Sequence, residues 1–315
     1  MNRKAIIFGI KGYKLTIKEK KLLKNSKPWG IILFSRNIRD FRQLKFLINS
    51  IKMLFNDKKY PILIDQEGGA VSRLNNIINL SFFSQYFFGQ LHKKNRKLFN
   101  IVYKIYIDKI SSIFKNVGIN INTAPVLDVV RKKKSDFIGT RSFSENPMIV
   151  SKLGNLTIKL FKKNKISTVV KHIPGHGNTK QDSHFNTPII KSSKKELITK
   201  DFRPFKMCKS HFAMTAHAIY PVYDSKKVAT HSKIIIDKII RNHINFKGLI
   251  ISDDISMKSL SYNLEVNATK ALQAGCNLIL HCNGNIREMH KLAKVIPRIN
   301  SFTEKKTSHF YKFLG

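Results

Sequence analysis

The segment Gly248-Leu249-Ile250-Ile251-Ser252-Asp253-Asp254 shows how this chain of 315 residues is organised. A short apolar run, long enough for one strand, passes directly into polar residues, and the last two carry carboxylates. Apolar runs of this kind are typical of parallel strands that are buried on both faces. The segment therefore predicts a buried strand with two acidic side chains at its carboxyl end.

The same pattern recurs along the whole chain. The apolar runs are separated by longer segments, of which residues 41–54 and 98–114 have the spacing of amphipathic helices. The eight runs are Ala5–Ile10, Gly30–Phe34, Pro61–Ile64, Gly118–Val126, Ile166–Val170, Phe212–Ala216, Gly248–Ile251 and Cys276–Leu280. Strands that alternate with helices indicate a parallel sheet. Eight of them predict an α/β fold, a single-domain (β/α)8 TIM barrel, for which about 250 residues are typical.

Polar residues follow most of these runs. They are Ser35-Arg36-Asn37, Asp65-Gln66-Glu67, Asp128, Lys171-His172, His217, Asp253-Asp254 and Asn283. In a barrel they would share one rim, where the chemistry of this fold takes place. The alternative is a doubly wound open sheet, but neither a glycine-rich dinucleotide turn nor a P-loop sequence occurs. No linker or repeat divides the chain, so we expect one domain over residues 1–315 with a short basic tail at Lys305–Gly315.

The chain is strongly basic. Its 58 Lys and Arg residues against 19 Asp and Glu give a formal net charge of +39. Such a charge attracts phosphate backbones, anionic membranes and acidic polymers. The lysines are spread evenly, however, and Ile and Asn are also abundant, which is the composition that an AT-rich genome favours. Because no fingerprint of a nucleic-acid-binding module occurs, we expect no specific nucleic acid partner and no membrane partner.

The cysteines and the apolar runs indicate the cellular compartment in which the protein acts. Cys208, Cys276 and Cys282 form no disulfide framework, since the last two would lie about 20 Å apart along one strand at ~3.3 Å per residue. No apolar stretch approaches the roughly 18 residues of a membrane span. The run Ala5–Ile10 is too short for the core of a secretory signal. We expect a cytoplasmic protein that acts as a monomer.

The loop Lys171-His172-Ile-Pro-Gly175-His176-Gly-Asn-Thr-Lys-Gln-Asp182-Ser-His184 concentrates three histidines after an apolar run. These histidines could bind a metal with Asp182 or Asp253, but the spacing matches no known zinc motif. Alternatively, Asp182 accepts a hydrogen bond from His184 and raises the basicity of its other ring nitrogen. A histidine held in this way gives and takes protons near neutral pH.

No serine or cysteine nucleophile in a strand-to-helix elbow accompanies this pair, so Asp253 is its natural partner. A carboxylate at a strand end can attack an electrophilic carbon and form a covalent ester. The anomeric carbon of a sugar, which becomes oxocarbenium-like during cleavage, is a fitting target. The simpler role of a helix N-terminal residue is expected for Asp254.

Taken with the other motifs, this loop resembles the signature loop of bacterial β-N-acetylhexosaminidases of glycoside hydrolase family 3. Further matching motifs follow in the family's order from about residue 8 to about residue 285. They are Gly30-Ile-Ile-Leu-Phe-Ser-Arg-Asn37, Asp65-Gln-Glu-Gly-Gly69 with Arg73, Ala124-Pro-Val-Leu-Asp128, Ile138-Gly-Thr-Arg-Ser-Phe143, Thr215-Ala-His217 and Ser252-Asp-Asp-Ile-Ser-Met257. Several long motifs in order are far more specific than one short pattern.

The resemblance implies a barrel that removes terminal β-linked N-acetylglucosamine from peptidoglycan fragments during recycling in the cytoplasm. The substrate would be a muropeptide or disaccharide that contains this sugar, and neither a metal nor an organic cofactor is implied. By motif position, Asp253 is the nucleophile, and His184 is the general acid and then the general base, oriented by Asp182. The positions expected to hold the sugar are Asp65, Arg73, Arg141, Lys171 and His172.

The chain departs from the family pattern at Asn122, Asn178 and Asn277, where an acidic residue is common in relatives. None of the three is a residue expected to do chemistry. Two alternatives stay open: the enzyme uses phosphate in place of water as the acceptor, or the barrel has become a catalytically inactive protein that binds anionic polymers. Gly175 and Gly177 favour a mobile loop that brings His184 to the sugar on closure.

Overall fold

A closed barrel of parallel strands forms the centre of the computed structural model, which describes residues 2–131, 138–178, 187–206 and 208–315. The eight barrel strands are β1 (Lys4–Gly9), β2 (Pro28–Leu33), β3 (Ile62–Ile64), β4 (Ile121–Asn122), β5 (Ser167–Ile173), β6 (Phe212–Thr215), β9 (Leu249–Asp254) and β10 (Leu278–His281). They are hydrogen-bonded in the order β1-β10-β9-β6-β5-β4-β3-β2, and β2 closes onto β1. Each of the eight predicted runs contributes one strand, so the predicted barrel is confirmed.

The strands are apolar because both of their faces are covered. Every residue of β2, β3 and β6 is buried, as is every residue of β5. In a barrel one face of each strand packs into the interior and the other against the surrounding helices. The continuous apolar runs therefore leave polar side chains only at the strand ends.

Helices cover the outside of the barrel. They are α1 (Ile17–Ser26), α2 (Phe41–Leu54), α3 (Gln85–Lys94), α4 (Arg96–Val117), α5 (Pro147–Lys163), α6 (Lys194–Glu196), α7 (Arg203–Lys206), α8 (Leu264–Ala274), α9 (Ile286–Val295) and α10 (Ser301–Leu314). Two π-helical segments span Leu197–Asp201 and Ile235–His243. The bounds of α2 agree with the predicted helix, because Asp40 caps its first turn by accepting a hydrogen bond from the Gln43 N–H. Helix α4 extends the other predicted helix to Gly118, whose left-handed φ of 97° ends it.

The expectation of a tail at Lys305–Gly315 is wrong, because all but the last of these residues belong to α10. Phe310 of this helix is fully buried, and its ring centroid lies 5.5 Å from that of Phe212 at the start of β6. The indole N–H of Trp29, near the start of β2, donates to Thr307 Oγ1 at 2.9 Å. Helix α10 therefore seals the amino end of the barrel.

The first strand and this last helix are joined at the same end. The N–H of Ile299 donates to the carbonyl of Arg3 at 2.9 Å. The Arg3 guanidinium pairs with the carboxylate of Asp57, and the Tyr311 hydroxyl donates to the same carboxylate at 2.5 Å. One partly buried acidic residue thus ties the start of β1 to α10, on the side of the barrel opposite the strands' carboxyl ends.

An antiparallel hairpin of β7 (Ile219–Tyr220) and β8 (Asp224–Val228) lies between β6 and the second π-helical segment. No apolar run predicted this hairpin, because Asp224-Ser-Lys-Lys is polar and largely exposed. Among the described residues, we find no helix with an apolar stretch that could span a lipid bilayer.

Candidate active site

A cavity of about 180 Å³ opens at the carboxyl ends of the barrel strands. Its wall includes every predicted site residue that the structure describes, namely Asp65, Arg73, Arg141, Lys171, His172 and Asp253. The prediction that polar strand ends share one rim is therefore confirmed for Asp65, Lys171, His172 and Asp253. Asp182 and His184 lie outside the described residues, so their roles stay predictions.

Two irregularities in strand register shape this cavity. Lys171 of β5 is paired with Met214 of β6, and Ile173 is paired with the next residue, Thr215, so His172 is the extra residue of a bulge. Successive side chains of a regular strand point to opposite faces, and a bulge breaks that alternation. Lys171 and His172 accordingly both line the cavity. A second register shift lies between β9 and β10. Here too, two successive residues, Asp253 and Asp254, line the cavity.

Lys171 joins two carboxylates at the bottom of the site. Its Nζ atom lies 2.5 Å from Asp65 Oδ1 and 2.6 Å from Glu67 Oε1, and the side chain is only 3% exposed. Burial alone would lower the pKa of Lys171, but the two carboxylates outweigh it and raise that pKa. Lys171 is therefore a permanent cation.

The two carboxylates are in turn held by arginines. Arg73 Nη2 donates to Asp65 Oδ2 at 2.6 Å, and Arg141 donates from Nε and Nη2 to both oxygens of Glu67 at 2.8 Å. Burial acts to raise the pKa of Asp65, but Lys171 and Arg73 outweigh it and hold that pKa well below its usual range. The network presents fixed charges of both signs, a surface suited to a ligand with many hydroxyl groups.

His172 is fixed by a buried aspartate. Its Nδ1 atom lies 2.7 Å from Asp128 Oδ2, and the same carboxylate accepts the backbone N–H of His172 and, at 2.6 Å, that of His176. Burial acts to raise the pKa of Asp128, but His172 outweighs it and the net shift is downward. An ionised Asp128 accepts a hydrogen bond from Nδ1 of the ring and turns Nε2 toward the cavity.

Asp253 faces this ring from the end of β9. Its Oδ2 atom lies 3.9 Å from His172 Nε2, and its Oδ1 atom accepts the backbone N–H of Asp254 at 2.8 Å. Burial acts to raise the pKa of Asp253, but His172, His217 and that N–H outweigh it and lower the pKa. Its side chain is 18% exposed. Asp253 therefore combines an ionised carboxylate with access to the cavity, as a nucleophile requires.

Asp254 does not begin a helix as expected. It is the last residue of β9, and its carboxylate accepts the backbone N–H and the hydroxyl of Ser256 at 3.1 and 2.8 Å. The next helix, α8, is capped by Asn263. A short turn after β9 accounts for the difference, because it satisfies this carboxylate locally.

The start of the histidine loop is tightly packed. A Cβ atom at Gly177 would lie 1.9 Å from the carbonyl oxygen of Val129, and the carbonyl of Gly175 accepts the Tyr220 hydroxyl at 2.6 Å. Burial lowers the pKa of His176 to about 4, so this residue is neutral at physiological pH. Among the described residues, no three His, Cys, Asp or Glu side chains are arranged for a metal ion.

The three asparagines at positions where the family resemblance implies an acidic residue have structural roles. Asn122 accepts the N–H of Gln66 at 3.1 Å and donates to its carbonyl at 2.9 Å, a pair of bonds that a carboxylate cannot make. Asn277 accepts from Arg241 and from Ile250 N–H, each at 2.8 Å, and Asn178 donates to Ser192 Oγ at 2.6 Å.

Glu67 and Asp128 were not predicted to have a role, and the structure places both directly behind the cavity wall. Both residues follow apolar runs, and this position is the feature of the sequence that could have identified them. Each lies behind a residue that was predicted, because Glu67 holds Arg141 and Lys171, and Asp128 holds His172. Residues of this kind position other side chains. A sequence pattern does not show this role, because the partners are distant in the sequence.

Comparison with known proteins agrees with this geometry. The sequence model of the glycosyl hydrolase family 3 N terminal domain matches residues 6–308. A β-hexosaminidase of Actinobacillus pleuropneumoniae is 34% identical over 284 residues, which cover 88% of this chain and 81% of that protein. A β-hexosaminidase of Haemophilus influenzae is 32% identical over 287 residues, covering 89% and 79%.

Solved structures agree as well. NagZ from Neisseria gonorrhoeae in complex with N-trifluoroacetyl-D-glucosamine is similar with a TM-score of 0.88 and 30% identity, over 98% of this chain and 90% of that one. A glycoside hydrolase family 3 β-N-acetylglucosaminidase from Paenibacillus sp. str. FPU-7 is similar with a TM-score of 0.85 and 26% identity, over 98% and 60%. Fold, cavity and sequence agree, and the chain belongs to glycosyl hydrolase family 3 and is a glycosidase.

Proposed function

We propose that this glycosidase is a retaining exo-β-N-acetylglucosaminidase that releases terminal β-linked N-acetylglucosamine from peptidoglycan fragments in the cytoplasm. One observation carries the proposal: Asp253 is a partly exposed carboxylate with a lowered pKa, at the end of a barrel strand beside His172. Relatives named β-hexosaminidase and a relative solved with an N-acylated glucosamine support the choice of sugar.

In the first step, Asp253 attacks the anomeric carbon while His184 gives its proton to the leaving oxygen, and the glycosidic bond breaks. In the second, His184 takes a proton from water, which attacks the same carbon and releases Asp253. Asp182 orients His184 in both steps. Two inversions at one carbon retain the β configuration.

The ionic network at the bottom of the site has a different task. The carboxylate of Asp65 accepts from Lys171 and Arg73 at 2.5 and 2.6 Å, so its position is fixed before substrate arrives. We propose that Asp65, Arg73, Arg141, Lys171 and His172 bind the hydroxyl and acetamido groups of the sugar. Hydrogen bonds that shorten as the ring flattens would stabilise the transition state more than the substrate.

The test is release of nitrophenol from a β-N-acetylglucosaminide by the wild-type enzyme, Asp253→Ala and His184→Ala. Turnover should fall about 10⁴-fold or more in Asp253→Ala, because it lacks the nucleophile. Each assay is run with and without phosphate. A sugar phosphate product would identify a phosphorylase instead, and a folded wild type that turns over neither this glycoside nor the matching glucoside would contradict the proposal.

A further inference from the structure

A second cavity lies beside the active site and is larger, at about 340 Å³. Hairpin β7–β8, the turn at Ser259–Tyr262 and helix α8 form its walls, and we call it the basic cleft. Its size falls within the range of about 300–1,000 Å³ that is usual for small-molecule sites. Among the described residues, none that lines the basic cleft also lines the catalytic cavity.

The lining of the basic cleft is cationic. Four lysines of the described chain contribute to it: Lys226, Lys227, Lys233 and Lys270. Within the described part of the chain, no Asp or Glu lines the cleft. Asp237 neutralises Lys233 from outside at 2.8 Å, while among the described residues Lys226, Lys227 and Lys270 form no ion pair with a carboxylate. A concave surface of one charge concentrates the field of its groups and attracts ligands of the opposite sign.

Two further features indicate a built site rather than a cluster of surface lysines. Ser259 lines the cleft, is 1% exposed, and its hydroxyl has no hydrogen-bond partner among the described residues. A buried polar group without a partner costs free energy, which a ligand could recover. Lys270 lies over the ring of Tyr262, with Nζ 4.4 Å from the ring centroid, so this lysine is oriented rather than free to extend into solvent.

The cleft is connected to both catalytic segments. Ser259 lies six positions after Asp253, and Met257 of the same turn lines the catalytic cavity. Thr187, three positions after His184, lines the cleft and donates from Oγ1 to the carbonyl of Ser259 at 2.8 Å. A group bound in the cleft would therefore contact the end of the acid–base loop and the turn that follows the nucleophile.

We propose that the basic cleft binds a small anion with at least two negative charges, carried on phosphate or carboxylate groups. Lys226, Lys227 and Lys270 neutralise these charges, and the Ser259 hydroxyl donates to an anionic oxygen. The anion has two possible sources: a free metabolite, or the acidic end of a flexible aglycone that extends from the catalytic cavity across the Met257–Tyr262 turn.

Calorimetric titration of the full chain with inorganic pyrophosphate tests the site, at about 150 mM salt so that diffuse attraction is screened. The cleft variant combines Lys226→Gln, Lys227→Gln and Lys270→Gln. The control variant combines Lys20→Gln, Lys21→Gln and Lys24→Gln, three exposed lysines on α1, and loses the same charge. Wild type and control should bind one equivalent with similar affinity, and the cleft variant should bind about tenfold more weakly or not at all.

Absence of saturable binding by wild type, or an equal loss in both variants, would overturn the proposal, because the overall charge would then explain any attraction. Kinetic measurements distinguish the two sources of the anion, and this part of the test rests on the proposed function. KM is measured for two β-N-acetylglucosaminides, of which one carries a carboxylate on a flexible aglycone. If the anion is part of the substrate, the cleft variant should raise KM for that glycoside alone. A free anion leaves both KM values unchanged. Calorimetry needs no turnover, so its result stands even if the proposed activity fails.

Discussion

The Nε2 atom of His172 lies 3.9 Å from Asp253 Oδ2, while Nδ1 of the same ring lies 2.7 Å from Asp128 Oδ2. One imidazole therefore connects a fully buried carboxylate to the proposed nucleophile. The ionised Asp128 accepts a hydrogen bond from Nδ1 and fixes the ring, and so decides which ring atom faces Asp253 and the substrate.

This relationship makes Asp128 a positioning residue. Asp128→Asn should lower kcat/KM by about 10- to 100-fold, because the neutral amide holds the ring and its tautomer less firmly. The assay is nitrophenol release across pH, with Asp237→Asn, a half-exposed acidic residue paired with Lys233, as the control. An unchanged kcat/KM together with an unchanged pH profile would contradict the role.

Lys171 is predicted to hold the bottom of the site together. Lys171→Met keeps the length of the side chain but leaves Asp65 and Glu67 facing each other without their shared cation. The free energy of unfolding should fall by about 3–5 kcal/mol, as when one partner of a buried ion pair is removed. Denaturant unfolding measures it. Lys104→Met, which breaks an exposed pair with Asp108, should cost less than about 1 kcal/mol.

Acid should destabilise the protein through the same groups. The native pKa values of Asp65 and Asp128 lie below the unfolded value of about 4, so their stabilisation is fully present above pH 4 and is lost as pH falls through the native values. Thermal unfolding from pH 7 to pH 3 should show Tm falling at the acid end. Asp65→Asn should have a lower Tm than wild type at pH 7, and the gap should narrow below about pH 4. A gap that stays constant with pH would be the contrary result.

The barrel could be predicted from sequence because each strand is a short apolar run that ends in polar residues. The same rule located Asp253 and Lys171, since strand ends meet at one rim. It could not locate the bulge at His172, which depends on the pairing of β5 with β6. Nor did it find α10, where lysines and serines separate the apolar residues, so that Phe310 was not recognised as part of the core.

Gly177 should be required for activity. A Cβ atom there would lie 1.9 Å from the Val129 carbonyl oxygen, which forces the backbone to move at the start of the loop that leads to His184. Gly177→Ala should therefore reduce kcat by about 100-fold, since small misplacements of a catalytic group are costly. Gly12→Ala, where a Cβ meets nothing within 4 Å, is the matched control. Equal kcat values for the two variants would argue against a positioned loop.

Helix α10 should contribute directly to the core. Phe310→Ala removes a fully buried ring that packs against Phe212 and Trp29, and should lower the free energy of unfolding by about 3–5 kcal/mol. Phe302→Ala on the same helix, where the side chain is 41% exposed, serves as the comparison. Similar losses in the two variants would mean that burial of Phe310 is not what stabilises the helix.

The shared carboxylate of Asp57 holds the first and last segments of the described chain close together. It binds Arg3 before the first strand and Tyr311 in the last helix, at the end of the barrel away from the catalytic cavity. A short peptide linker could therefore join residue 315 to residue 2 without crossing the rim, and new ends could be opened in an exposed turn on the sealed side. Such a circular permutant would keep the order of strands around the barrel and all of the side chains that surround Asp253.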